Sequence, residues 1–413
     1  MRTLQTSHGA DSPYAWTRLW IALALTTVGG SGMYSMAVVL PPLQAEFAIA
    51  RGDASLPFTF TMIGFGLGGV LMGRLSDRFG VIVPVLIGSV SLGLGFIAAS
   101  FSQNLLQFTA IHGLLIGIGT SGTFVPLVAD ITLWFTRRRG IAVAIAMSGN
   151  YLAGTVWPPL MQHFIDTSGW RATYMGTGLI CLFAMPLFAL ALRRKPPAIA
   201  GLAPAGAAAR GASSNPEQPL GFSPSQLQGL LCVSGIACCV AMSMPQVHMV
   251  AYCADLGFPA ARGAEMLSLM MAFGIVSRLA SGWIADHIGG LGTLLLGAVL
   301  QASALALFLP FDGLAALYVV SALFGLFQGG IVPSYPLIVR EYFSPREAGT
   351  RTGTVLMATL VGMALGGWMP GWVFDMTGSY RAAFVNGIAW SLVTTGIALF
   401  LIYRSRRWIP RAA

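Results

Sequence analysis

Long apolar stretches alternate with short polar segments along the whole chain. Each stretch is close to the roughly 20 residues that a helix needs to cross the hydrocarbon core of a bilayer. The stretches lack the alternation of apolar and polar residues that a lipid-facing β-strand requires, so the pattern predicts helices. Twelve spans are predicted, at residues 17–41, 57–76, 80–101, 106–130, 139–163, 171–193, 225–251, 263–285, 291–310, 314–339, 348–374 and 381–403.

A short motif at the end of the second stretch returns at the end of the eighth. Gly73–Gly80 reads GRLSDRFG and Gly282–Gly289 reads GWIADHIG, with every matched position 209 residues later. A second pair has the same spacing, since Asp166–Gly169 matches Asp375–Gly378. Duplication of a six-span unit is the simplest explanation, and in a very apolar chain such a repeat is typical of a transporter.

The segment between the two copies has a different composition. Between Arg193 and Phe222 the chain becomes rich in Pro, Ala, Gly and Ser, which is typical of a flexible linker. The sequence therefore predicts an all-α membrane protein with twelve transmembrane helices in two pseudo-symmetric six-helix bundles. The predicted bundles are residues 1–193 and 225–413, the second with a short basic tail, and residues 194–224 are the predicted cytoplasmic linker.

Composition and charge agree with a membrane protein. The chain is 55% hydrophobic and only 9% charged, with a mean hydropathy of +0.74, which lies outside the range of soluble proteins. Of its 23 Lys and Arg residues, 18 fall on the side that holds both termini and the linker. By the positive-inside rule that side is cytoplasmic. The rule explains the net charge of +9, so no nucleic-acid partner is predicted from it. We expect a monomer in the bacterial inner membrane.

The repeated octet places charges at the predicted cytoplasmic ends of helices 2 and 8. An Asp and an Arg at a helix end can pair with each other, with Asp130, with Arg137–Arg139 or with a helix terminus. Because an exposed pair alone contributes little, we expect a conditional latch that closes the cytoplasmic side in one conformation. The predicted latch residues are Gly73, Asp77, Arg78, Asp130 and Asp286.

The octet also carries a resemblance. Its pattern Gly-x-Leu-x-Asp-Arg-x-Gly, between the second and third spans, resembles the hallmark loop of the major facilitator superfamily. The second copy, in which His287 replaces the arginine, is similar to the weaker echo in that superfamily. The resemblance covers essentially the whole chain. It implies a carrier whose two halves rock around a midplane site and open to each side in turn.

Arg278 is the predicted substrate-binding residue. It lies eight residues before Asp286, which corresponds to about 12 Å of helical rise from the cytoplasmic end. A guanidinium at that depth is costly, and such residues usually face a cavity. Its planar fork of donors fits a carboxylate. The alternative is a structural ion pair or a gate contact, although Gly274 and Gly282, one turn away on either side, are not acids.

Further stretches resemble the monocarboxylate transporters and their bacterial relatives, including oxalate/formate exchangers. They are Tyr34–Leu43, Trp134–Ala142 and Ser277–Gly282. The resemblance implies that Arg278 binds the substrate carboxylate, as the matching arginine of that family does.

Three positions depart from that family. Val38 or a neighbour stands where animal members have a lysine in helix 1, and Gly274 stands where they have an aspartate one turn before the arginine. The usual proton-coupling groups are therefore missing. Oxalate exchangers add a lysine in helix 11, where this chain has only Arg351, near the cytoplasmic end. A single deep cation favours a substrate with one carboxylate.

Five other polar residues inside predicted spans complete the predicted substrate site. Core packing explains the two tyrosines equally well, and the histidine is either a proton acceptor, able to add a second positive charge, or a satisfied structural residue. The amides must find partners in any case. These residues are His248, Tyr34, Tyr335, Asn150 and Gln328. His112, near the outer end of helix 4, is predicted to be interfacial.

The sequence thus predicts a secondary transporter for a small organic anion such as lactate or pyruvate, with a proton as the candidate co-substrate. The alternative is a dicarboxylate/formate-type exchanger, or, ranked lower, a multidrug or sugar carrier. No Asp or Glu lies deep in a span, which argues against cationic drugs. No catalytic motif is present, so neither an enzyme nor a cofactor is predicted.

Overall fold

The computed structural model describes residues 11–136, 139–194, 219–344 and 347–408. Within these ranges the chain is all-α, as predicted, with fourteen α-helices and no β-strand. Most of the predicted linker, residues 195–218, lies outside the described residues. The helices are α1 (Pro13–Gly29), α2 (Ser31–Phe47), α3 (Arg51–Phe79), α4 (Ile82–Ser100), α5 (Leu105–Ile111), α6 (Ile118–Gly122), α7 (Val125–Trp134), α8 (Arg139–Leu190), α9 (Pro224–Asp255), α10 (Ala260–Leu307), α11 (Leu314–Gln328), α12 (Ile331–Tyr342), α13 (Ala348–Thr377) and α14 (Tyr380–Trp408).

In the described part of the chain, ten helical stretches are long and apolar enough to cross a membrane. Three of them are interrupted, which the hydrophobic pattern did not predict: α1 with α2, α5 through α7, and α11 with α12. Glycines stand at two of these breaks, Gly30 and Gly329–Gly330, with right-handed helical φ and ψ. The space at these positions is the constraint, since a methyl group at Gly30 would lie 2.5 Å from Cβ of Ala153. A π-helical turn, His112–Gly117, joins α5 to α6.

The two longest helices each turn at a glycine of the sequence repeat. In α8 (52 residues) Gly169 has φ 81°, and in α10 (48 residues) Gly289 has φ 75° and ψ 174°. The partner of Gly289 in the first copy, Gly80, ends α3 with φ 80° and ψ 172°. A side chain would be strained in this conformation. Gly80 and Gly289 therefore mark the same backbone turn in both copies, whereas Gly378, the partner of Gly169, ends α13 with φ 67° and ψ 12°.

The chain divides into two compact units. The first consists of Met1–Ala200 with Val247–Ala272, and the second of Gly201–Gln246 with Phe273–Ala413. The stretch 247–272, which belongs to the second half of the sequence, thus groups with the first half. The division into six-helix bundles at 194–224 stays a prediction.

Helices of the first unit approach one another through glycine. A methyl group added at Gly64 of α3 would lie 2.0 Å from the carbonyl oxygen of Gly113 in the π-helical turn. A methyl group at Gly93 of α4 would lie 2.9 Å from the carbonyl oxygen of Gly178 in α8. Lipid provides no hydrophobic force between helices, so this close backbone packing is what holds them together.

A buried ion pair connects three helix ends of the first unit. Arg18 of α1 is 1% exposed and donates from Nε and Nη2 to the two carboxylate oxygens of Asp130 in α7, at 2.6 and 2.9 Å. Its Nη1 donates to the carbonyl oxygens of Leu192 and Arg194, just beyond α8. The guanidinium also lies over the ring of Trp134 at 4.7 Å. Asp130, predicted as a latch residue, is thus bound to Arg18.

Gly64→Ala tests the glycine contact. Because the new methyl group meets backbone rather than a flexible side chain, we expect the free energy of unfolding to fall by about 1–3 kcal/mol or more. The measurement is the melting temperature of detergent-purified protein. Gly176→Ala is the matched control, since a methyl group there has no atom within 4 Å. Equal melting temperatures for the two variants would contradict the packing argument.

Asp130→Asn tests the buried pair. Removing one partner leaves a buried guanidinium without its counter-charge, which costs about 3–5 kcal/mol. We expect a strongly lowered melting temperature, with partial recovery in the double variant R18M/D130M. Glu265→Gln is the control, because its pair with Arg262 is 43–50% exposed, and exposed pairs contribute about 0–1 kcal/mol. An undiminished melting temperature for D130N would count against this assignment.

Candidate functional site

Arg278 lies in the second unit, on α10. This part of α10 packs against the break between α11 and α12. Arg278 is half-buried, and the preceding Ser277 is 3% exposed. A methyl group at Gly329 would lie 2.6 Å from the carbonyl oxygen of Gly274 and 2.8 Å from Cβ of Ser277. A methyl group at Gly330 would lie 1.9 Å from Oγ of Ser281. The glycine pair between α11 and α12 therefore packs directly against the turns of α10 that flank Arg278.

Gln328, the last residue of α11, immediately precedes this glycine pair. Its side chain is 0% exposed, and its Oε1 accepts a hydrogen bond of 3.2 Å from Nε2 of Gln246 in α9. Within the described residues Nε2 of Gln328 has no hydrogen-bond partner. Sequence reasoning selected Gln328 but not Gln246, because the pairing joins positions 82 residues apart.

Tyr335 of α12 lies in the apolar core of the second unit. Its hydroxyl hydrogen-bonds Oγ of Ser234 at 3.1 Å and Sγ of Cys238 at 3.3 Å. The ring packs among buried leucines and isoleucines of α9, α10 and α12. The hydroxyl is thus engaged within the core, as the packing alternative for this residue required.

The first unit holds the other three predicted substrate-site residues. Tyr34 of α2 is 5% exposed, and a methyl group at Gly154 of α8 would lie 2.7 Å from its Cζ. Asn150, one turn earlier in α8, is half-buried, with Nδ2 3.6 Å from Sδ of Met33. His248 of α9 is 1% exposed. Tyr34 and Asn150 are therefore close to the same pair of helices, α2 and α8.

The octet residues are at the surface. Asp77, Arg78 and Asp286 are exposed, and Gly73 is half-buried. Among the ion pairs of the described residues none involves these charges, and the guanidinium of Arg78 lies 5.1 Å from the ring centre of Phe79. Arg137 and Arg138, considered as latch partners, lie outside the described residues, as does the side chain of Arg139.

An ion pair at the opposite end of α3 was not predicted. Arg51, the first residue of α3, contacts both carboxylate oxygens of Asp255, the last residue of α9, with Nη2 to Oδ1 at 3.0 Å. Nε of Arg51 donates to Oε1 of Gln44 at 3.0 Å. The contact belongs to the first unit, where Ser268 Oγ also donates to the carbonyl oxygen of Thr155 at 2.5 Å.

The prediction that His112 is interfacial is wrong. The ring is 0% exposed and packs against Phe108 and Tyr174. Thr61 donates its hydroxyl proton to the carbonyl oxygen of Pro57, so its oxygen accepts from Nδ1 of His112 at 3.1 Å. Nε2 then accepts from the hydroxyl of Tyr174 at 3.3 Å. Helix packing buries the ring because the π-helical turn lies directly against α3.

The chemistry that the described residues offer is the binding of an anion. No cluster of three His, Cys, Asp or Glu side chains suited to a metal ion occurs in the described ranges. An apolar crevice of about 220 Å³ between the two arms of α8 contains none of the predicted site residues. What the second unit offers is a guanidinium, which binds carboxylates, on a helix packed against the segment that carries an amide pair.

The sequence of the chain is similar to those of known transporters. The sequence model of the Major Facilitator Superfamily matches residues 19–311 and 291–413. Monocarboxylate transporter 13 of Rattus norvegicus is 28% identical over 84% of this chain and 78% of its own length, and monocarboxylate transporter 11 of Homo sapiens is 26% identical over 97% and 85%.

The fold has solved counterparts. A crystal structure of the peptide transporter POT in complex with sulfate superimposes with a TM-score of 0.75 at 13% identity, covering 97% of both chains. This likeness concerns the fold alone. Together with the family match over nearly the whole sequence, it means that the chain is a multi-pass membrane transporter and belongs to the major facilitator superfamily.

Proposed function

We propose that the protein is a secondary transporter that carries a small monocarboxylate, such as lactate or pyruvate, by alternating access. The observation that carries the proposal is Arg278, a half-buried guanidinium inside an apolar helix. Its fork of donors suits a carboxylate. Placing a charge inside a membrane helix costs free energy, and such residues usually have a function. The names of the similar transporters support the same substrate class.

The proposal includes twelve spans. Ten apolar helical stretches are described, and the two longest, α8 and α10, each turn at a glycine with positive φ between two span-length arms. Counting each arm as one span gives twelve. With an even number of spans and the distribution of arginine, both termini are cytoplasmic and the protein resides in the inner membrane.

In the second unit the proposed substrate-binding groups are the guanidinium of Arg278 and the buried amide of Gln328. In the first unit they are the half-buried amide of Asn150, the hydroxyl of Tyr34 and the imidazole of His248, which can accept a co-transported proton. Tyr335 is better explained as a core residue, since its hydroxyl is bonded to Ser234 and Cys238. The exposed octet charges Asp77, Arg78 and Asp286 remain the proposed cytoplasmic latch.

Arg278→Ala tests the function in proteoliposomes loaded with buffer and supplied with labelled lactate or pyruvate. We expect the apparent affinity to fall about 10- to 150-fold, since a hydrogen-bonded charge contributes about 1.5–3 kcal/mol. Arg278→Lys should be intermediate, because an ammonium cannot bind a carboxylate through two parallel bonds. Running each assay with and without a pH gradient reports proton coupling as a difference in rate.

The matched control is Arg262→Ala, an exposed arginine on the same helix, which should leave uptake at the wild-type rate. Undiminished carboxylate uptake by R278A would overturn the role of Arg278. Wild-type protein that takes up neither acid would overturn the proposed substrate class.

A further inference from the structure

In the described part of the chain, the NH2 group of Gln328 is a buried hydrogen-bond donor without an acceptor. One end of the amide is fixed, since Oε1 accepts from Gln246. The other end, the NH2 group, has no partner among the described residues, and the side chain is 0% exposed. Native proteins rarely leave a buried donor in this state, and each case calls for an explanation such as a ligand or a water.

A second buried glutamine of the same unit shows the usual arrangement. Gln301 in α10, also 0% exposed, donates from Nε2 to the carbonyl oxygen of Cys238 at 3.2 Å. Only its Oε1 lacks a partner in the described part of the chain. An under-used carbonyl oxygen is less unusual than an unused N–H donor. The atom without a partner is therefore a donor nitrogen in Gln328 and an acceptor oxygen in Gln301.

Gln246 determines which end of the Gln328 amide has a partner. In the structure Nε2 of Gln246 donates to Oε1 of Gln328, so the NH2 group of Gln328 faces away from Gln246. Gln246 in turn follows Pro245, within α9. The amide pair thus presents two donor hydrogens in a fixed direction.

The fixed donor is next to the turns of α10 that carry Arg278. Gln328 directly precedes Gly329, and the backbone of Gly329 lies against Gly274 and Ser277. Arg278 follows Ser277 in the chain. The guanidinium of Arg278 and the amide of Gln328 are therefore carried by two segments whose backbones are in contact.

We propose that Gln328, held in orientation by Gln246, is a specificity-determining residue that donates a hydrogen bond to the oxygen on the carbon beside the substrate carboxylate. This inference rests on the proposed function. A guanidinium alone cannot distinguish a 2-oxo acid from a plain aliphatic acid of the same length, because both have the same carboxylate. A donor that is desolvated and fixed rejects the acid that leaves it without an acceptor.

The test compares pyruvate with propionate, which share a three-carbon chain and differ in the oxygen at carbon 2. Competition against labelled pyruvate in proteoliposomes gives the ratio of apparent affinities. We expect wild-type protein to prefer pyruvate and Gln328→Met to lower the pyruvate-to-propionate ratio by about three- to tenfold, the range for one hydrogen bond. Gln301→Met is the matched control, expected to keep the wild-type ratio.

Three outcomes overturn the inference. They are an unchanged ratio in Q328M, an equal loss of affinity for both acids in Q328M, and a lowered ratio in Q301M. If Q328M does not accumulate in the membrane, Gln246→Met replaces it. This variant keeps the Gln328 amide and removes the hydrogen bond that orients it. The pyruvate-to-propionate ratio should therefore fall less than in Q328M. An unchanged ratio would also contradict the inference. Wild-type protein that transports neither acid contradicts the proposed function instead, so the two failures are distinguishable.

Discussion

Close backbone contact between helices is the constraint on which the rest of this structure depends. Inside lipid, helices gain nothing from leaving the solvent, so they associate where small residues let two backbones touch. Gly64 against Gly113 and Gly93 against Gly178 are such contacts in the first unit. In the second unit Gly329 lies against Gly274 in the same manner. Gln328, which directly precedes Gly329, is placed beside α10 by this contact.

Polar residues that look equivalent in the sequence differ in the structure in how many of their hydrogen bonds are made. Tyr335 and Gln328 lie seven residues apart, and both are fully buried. The hydroxyl of Tyr335 is bonded to Ser234 and Cys238, whereas the NH2 group of Gln328 has no acceptor among the residues that the structure describes. A buried polar group with all its bonds made contributes to the fold, and one with a donor left over calls for an explanation such as a ligand or a water. The difference lies in partners supplied by other helices.

Much of the fold was predictable because it depends on local pattern. Apolar runs predicted the helices, and the repeated glycines at Gly80 and Gly289 predicted equivalent positions, which the structure shows to have the same φ and ψ. Contacts between distant residues were not predictable. Asp130 binds Arg18, 112 residues away, and the burial of His112 depends on a π-helical turn without a hydrophobic signature. For the proposed site, the sequence selected Arg278 and Gln328 as candidates but not Gln246, whose amide contacts that of Gln328.

The pair of Arg18 and Asp130 also imposes an order on membrane insertion. Arg18 is synthesised 112 residues before its carboxylate, which at a typical elongation rate is a delay of about 6 to 22 s. Until α7 follows, the guanidinium must stay in the hydrated interface, because burial without its counter-charge is too costly. The contact between α1 and α7 therefore forms only after the fourth apolar stretch has been made, so this part of the first unit is completed backwards along the chain.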